Sequence, residues 1–84
     1  MNTYSSDIER ISAQQIRAAR AWLGWSQSDL AEHARVGRKT IAVMESELSV
    51  PYDRTLRDIR AAFEEAGIVF LFQDTQATGI MVRK

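Results

Sequence analysis

The sequence predicts a mainly α domain of four to five helices followed by a short C-terminal β-hairpin. Three observations carry that expectation. A helix-start signature recurs along residues 11–41, an apolar stripe at helical spacing runs over residues 56–66, and a β-branched and aromatic run follows directly.

Ser12 followed by Gln15 reads as a capping box. The serine oxygen takes the N–H of the third helical residue, and the glutamine reaches back to the cap, with Ile11 and Ile16 as hydrophobic staple. Ile16, Ala19, Arg20 and Leu23 continue that helix, and Gly24 supplies a left-handed stop. Ser26 and Asp29 repeat the signature, stapled by Trp25 and Leu30, for a short helix ending near Ala34. A third start falls at Gly37, a weaker cap than serine, stapled by Val36 and Ile41, for a helix over residues 38–46. Pro51 then breaks the chain, and Asp53 is placed to cap a fourth helix. There Leu56, Ile59, Phe63 and Ala66 form one apolar stripe, and Gly67 ends it.

The tail has a different character. Ile68, Val69, Phe70, Leu71 and Phe72 are too few for a helix and suit a strand. Residues 73–79 read as a polar connection, and Ile80, Met81 and Val82 as a second strand. One domain is expected over residues 1–84, with 1–10 frayed, 12–67 the helical core and 68–84 the hairpin.

Composition narrows the function classes. The chain has 84 residues and no cysteine, so a disulfide framework and a thiolate metal site are both excluded. The longest apolar run, residues 68–72, is far too short to span a bilayer, and a soluble cytoplasmic protein is expected. Eleven basic and eleven acidic residues cancel, so any basic surface has to be local. Such a stretch exists: Arg35, Arg38 and Lys39 lie between His33 and Met44 with no acid among them, and Glu45 and Glu47 follow.

The two short helices at residues 27–34 and 38–46 are separated by only three residues. Leu30, Ala31, Val36, Ile41 and Met44 can close a small core between them. That is the sequence form of a helix-turn-helix, whose second helix enters the major groove of DNA with its N-terminal residues at the base edges. Arg38, Lys39 and Thr40 hold that position. Arginine can bond guanine O6 and N7 together, and threonine can meet a base edge or a thymine methyl. The N-terminus of the preceding helix offers backbone N–H groups as a phosphate seat, to which Gln27 can add a side-chain bond.

The stretch IRAARAWLGWSQSDLAEHARVGRKTIAVMES, followed by Pro51 and TLRDIRAAFEEAG, resembles the phage repressor and Cro type (XRE-like) helix-turn-helix family over residues 16–67. The Leu23, Trp25, Ser26, Gln27, Leu30, Ala31 start, the Thr40, Ile41, Glu45 centre and the downstream Pro51, Thr55, Leu56 all fall in register. The resemblance implies a repressor-like, compact all-helical DNA-binding domain over those residues, usually dimeric on duplex DNA and acting as a repressor or activator. It assigns Gln27 and Thr40 to phosphate contact, and Arg38, Lys39 and Val43 to the groove-facing surface. Four positions depart from the family pattern: Arg35 and Glu47 stand where glycine is usual, Gly37 stands where serine is, and Val43 stands where a basic residue is frequent. A left-handed residue other than glycine costs on the order of 1 kcal/mol, which predicts a turn at Arg35 reshaped by about a residue.

Other residues carry blander readings. Trp22 and Trp25 are expected in the core and staple, and Glu45 at a helix end, bonding nearby backbone or an arginine. Arg57 is placed to pair with Glu64 or Asp53 along the fourth helix. His33 is the only histidine, and Ser26, Asp29 and His33 share one short helix without a cleft, so no enzyme and no cofactor are expected. The expected function is a sequence-specific transcriptional regulator that binds an inverted-repeat operator as a homodimer. The alternative is a protein-binding antiactivator or antitoxin on the same fold. Ile68, Val69, Phe70, Leu71, Phe72, Ile80 and Val82 are the expected dimer interface, because both faces of the hairpin are apolar and four short helices can cover only one. Otherwise the tail folds back on its own helices as a lid.

Overall fold

The computed structural model of the protein describes residues 9–47 and 52–83. Its elements are α1 (Ala13–Leu23), α2 (Gln27–Ala34), α3 (Arg38–Glu45), α4 (Asp53–Glu65), β1 (Ile68–Gln73) and β2 (Gln76–Val82). The expected break at Pro51 and most of the expected fraying over residues 1–10 lie outside the described residues. Arg10, at the edge of that stretch, is tied to Asp53 by an ion pair of 2.8 Å.

Both serine capping boxes form. Ser12 Oγ accepts from Gln15 N at 3.1 Å while Gln15 Oε1 accepts from Ser12 N at 3.0 Å. Ser26 and Asp29 repeat the reciprocal pair at 2.9 Å each way. Gly37 caps α3 without a side-chain bond, as a residue without a side chain must. The fourth start differs from expectation. Tyr52 is the cap and Asp53 the first helical residue. The Asp53 carboxylate is drawn to the Arg10 guanidinium instead of back onto its own backbone.

The core is one cluster fed by every element. Phe63, Ile16, Leu30, Ile41, Ile59 and Ile68 are its largest fully buried side chains. Trp25 packs at its margin, stacked on Phe63 at 5.5 Å and on His33 at 4.0 Å. Trp22 is 64% exposed, so it is not the core residue expected. It sits one helical turn beyond the exposed Ala18, on the outer flank of α1.

β1 and β2 pair antiparallel from Ile68↔Val82 to Gln73↔Gln76, with a bulge at Leu71/Phe72. The connection is two residues, Asp74 and Thr75, rather than the polar loop expected over 73–79. Asp74 accepts the left-handed conformation (φ 61°) that a tight hairpin turn demands, so the ladder can run on through polar residues. At the other end, Gly67 O accepts from Arg83 N at 2.7 Å. Gly67 has φ 98°, and a Cβ there would lie 3.2 Å from Arg83 O, so only glycine closes the hairpin this tightly.

The hairpin lies against its own helices. Ile68 and Phe70 are buried in the common core, and Phe72, Ile80 and Val82 pack against it. Five of the seven residues expected at a dimer interface therefore face inward. Strand alternation leaves Val69 and Leu71, with Met81 opposite Val69, on the outer face. Gln15 of α1 fixes this docking. Its buried amide donates to Leu71 O at 3.0 Å and to Gly79 O at 2.8 Å, beside the bulge.

Candidate nucleic-acid interface

The surface of interest begins with the turn between α2 and α3. Arg35 takes up the left-handed conformation itself (φ 59°, ψ 44°), and its neighbour Val36 N bonds Ala31 O at 3.1 Å. The expected reshaping does not occur; the strain is accepted in place, and the Arg35 side chain is left exposed. The turn thus sets α3 on α2 through Leu30, Ala34, Ile41 and Met44, all buried.

With Ile41, Met44 and Glu45 inward, the outer face of α3 follows from its 3.6-residue period. Arg38, Lys39, Ala42, Val43 and Ser46 lie along it. Arg38 and Lys39 are exposed and Val43 is half-buried at its centre. Thr40 is exposed at the flank. Ala42 and Ser46 are additions to the residues read from the sequence; the helical period alone would have supplied them. The face therefore presents two cations at the helix N-terminus and small, uncharged side chains beyond them.

Behind this face stands a polar cluster. Glu45, 6% exposed, receives Arg20 Nε on Oε2 at 2.6 Å and Arg20 Nη2 on Oε1 at 2.8 Å, and Gln27 Nε2 lies 3.3 Å from Oε1. Arg20 Nη1 also donates to Trp25 O at 2.8 Å, and Arg17 donates to the Glu45 carbonyl. Burial pushes the Glu45 carboxyl up, but the hydrogen bonds from Arg20 and Gln27 and the nearby guanidinium charges outweigh it, so it titrates below its ordinary value. The same contact raises the Arg20 guanidinium. The cluster ties α1, the start of α2 and the end of α3 into one rigid unit. The Gln27 side chain thus turns toward Glu45 rather than outward.

Glu47 follows α3 with φ 62° and gathers Gln14 Nε2 at 3.4 Å and Arg17 Nη2 at 3.7 Å. Arg60, not Arg57, pairs with Glu64, at 2.9 Å, because Arg60 is four residues from it on the same face. Ser26 and Asp29 are committed to capping α2. The backbone and side-chain hydrogen bonds of Ser26 hold the Asp29 carboxyl below its usual range. His33 lies flat on Trp25. Among the described residues no group of histidines, aspartates or glutamates is placed to hold a metal ion, and no helix is long and apolar enough to cross a membrane.

Residues 16–66, from the first turn of α1 to the end of α4, match a family model described as a helix-turn-helix. No curated protein matches the chain.

Proposed function

The chain belongs to that helix-turn-helix family, of the phage-repressor (XRE) type, and from this premise we propose that it is a sequence-specific transcriptional regulator that reads duplex DNA with α3. The family is a DNA-binding one, and that much holds for this chain. The finer reading is ours: Arg38 and Lys39 meet base edges, Val43 faces the groove, Thr40 and Arg35 flank it toward phosphates, and Gln27 supports the backbone contact from the start of α2. The observation that carries it is the exposed Arg38–Lys39 pair at the first turn of α3, held rigid by the Arg20–Glu45 pair behind it. Cations at a helix N-terminus oppose the helix dipole, so their placement calls for an anionic partner. The protein binds as a homodimer on an inverted repeat whose half-sites are centred about 34 Å apart.

The test is a gel shift and footprint on the DNA upstream of the protein's own gene, with Arg38→Ala/Lys39→Ala beside the parent. Loss of about 1–3 kcal/mol per bidentate contact is expected, with helical circular dichroism unchanged. Binding should weaken with salt with a log–log slope near about −5, for about three phosphates per subunit. Unchanged affinity in the double variant removes α3 from recognition and favours a protein-binding role for the fold.

A further inference from the structure

Arg10, Arg20 and Arg60 hold the carboxylates of Asp53, Glu45 and Glu64 at 2.8, 2.6 and 2.9 Å. Arg17 is different. Its Nη2 stands 3.7 Å from Glu47 Oε2, beyond hydrogen-bonding distance, and Gln14 Nε2 stands 3.4 Å from the same oxygen. Two donors on one flank of α1 thus converge on a single carboxylate oxygen that neither grips. The arginine and glutamate side chains are 42% and 55% exposed, and an ion pair so open to water adds little to stability. Yet Glu47 takes a left-handed φ of 62° to supply that oxygen, a conformation glycine adopts without strain. Stability does not account for the residue.

The Arg17 guanidinium is also oriented from behind, because its Nη1 donates to the Glu45 carbonyl at the last residue of α3. It therefore keeps its place when Glu47 leaves, with Nη2 available to another anion. Glu47 follows Ser46, so the site stands at the far end of the outer face of α3 from Arg38, about 12 Å along the helix. The major groove is itself about 12 Å wide, so a helix with its first turn at the base edges brings its other end to the phosphate rim. We propose that Arg17 and Gln14 form a phosphodiester site on α1, and that Glu47 fills it in the free protein as a stand-in anion. The contact is autoinhibitory: a duplex must displace the carboxylate before its backbone can engage α1, which lowers affinity for every sequence.

The duplex as ligand rests on the DNA-binding reading above; the anion site does not. Filter binding to a random duplex should compare wild type, Glu47→Gln, Arg17→Gln and the double variant, with a thermal midpoint for each. Glu47→Gln should bind about tenfold tighter at low salt, and its log–log salt slope should steepen by about 0.9 per subunit. In the Arg17→Gln background the same change should gain no more than about twofold. Simple repulsion between Glu47 and DNA gives equal gains in both backgrounds, and that result overturns the proposal. A second measurement leaves Arg17 in place. Inorganic phosphate titrated into the full chain should shift the Arg17 Nε proton resonance at about tenfold lower concentration in Glu47→Gln than in wild type. A resonance that ignores phosphate in both proteins overturns the proposal whether or not any duplex binds. A phosphate response in the variant, with no duplex bound by any of the four proteins, keeps the anion site and sinks the DNA-binding reading.

Discussion

Arg20 and Glu45 meet edge to edge through two parallel hydrogen bonds of 2.6 and 2.8 Å, joining the middle of α1 to the last turn of α3. The carboxylate side chain is 4% exposed and the guanidinium 21%. Glu45→Ala would leave the arginine without its partner. Breaking a fully buried pair costs about 3–5 kcal/mol; the partial exposure of Arg20 lowers the expected loss to about 2 kcal/mol. A thermal or urea melt measures it.

The same pair makes the fold acid-sensitive in a defined direction. A carboxyl whose folded pKa lies below its unfolded one stabilises in full above the unfolded value, near about 4.3, and that stabilisation fades as pH falls through the folded value. Glu45 is such a group. The thermal midpoint of the wild type should therefore drop on acidification below about pH 4.3, and Glu45→Gln should show a shallower acid limb. Parallel melts between about pH 3 and 6 check this, and identical acid limbs would count against the pair as the cause.

Arg35→Gly removes a left-handed non-glycine residue from the turn and should raise stability by about 1 kcal/mol. It also removes one exposed cation beside α3. The slope of log affinity against log salt should shrink by about 0.9 per lost phosphate contact in each subunit. A stability gain with an unchanged slope would confine Arg35 to the turn.

Glu47→Gln keeps the side-chain length, and the amide can still meet Gln14, but the negative charge at the end of α3 disappears. Affinity for any duplex should rise, with most of the gain seen at low salt, where charges are least screened. Filter binding to operator and random DNA measures both. An effect confined to the operator would instead make Glu47 a base-reading residue.

Gln15→Leu fits the space but strips donors from Leu71 O and Gly79 O. Each lost hydrogen bond to these part-buried carbonyls costs about 0.5–1.5 kcal/mol, and the capping box at Ser12 loses the half that the Gln15 side chain supplies. Hydrogen exchange should quicken first at the hairpin amides, because the amide of Gln15 is what pins the bulge to α1.

How far the sequence foretold this arrangement depends on the range of each interaction. The caps at Ser12 and Ser26 are legible because donor and acceptor lie three residues apart, and so is the outer face of α3, which follows from helical period. Gln15 shows its local half, the capping box, but its two hairpin acceptors lie 56 and 64 residues away, and no local pattern marks them. Asp53 misleads for the same reason: an aspartate before an apolar stripe reads as a cap until a distant Arg10 claims it. The left-handed Asp74 is a turn signal of weak type, and a reading that misses it starts the second strand at Ile80 instead of Gln76. The outer apolar face of the strand was readable from alternation; that its inner half belongs to the chain's own core required the structure.

The placement of Ile68 and Phe70 in the common core has a consequence for the order of assembly during synthesis. A nascent chain that has emerged as far as Gly67 already carries every residue of the helix-turn-helix, yet its core lacks two large side chains and Gln15 has neither carbonyl to bond. Chains fold by units as they leave the ribosome, and here the unit is complete only once the hairpin is out. Helix α3 and the tail therefore become native in a single step, so a ribosome-stalled fragment that ends before β1 should remain protease-sensitive even though every residue of α3 has been made.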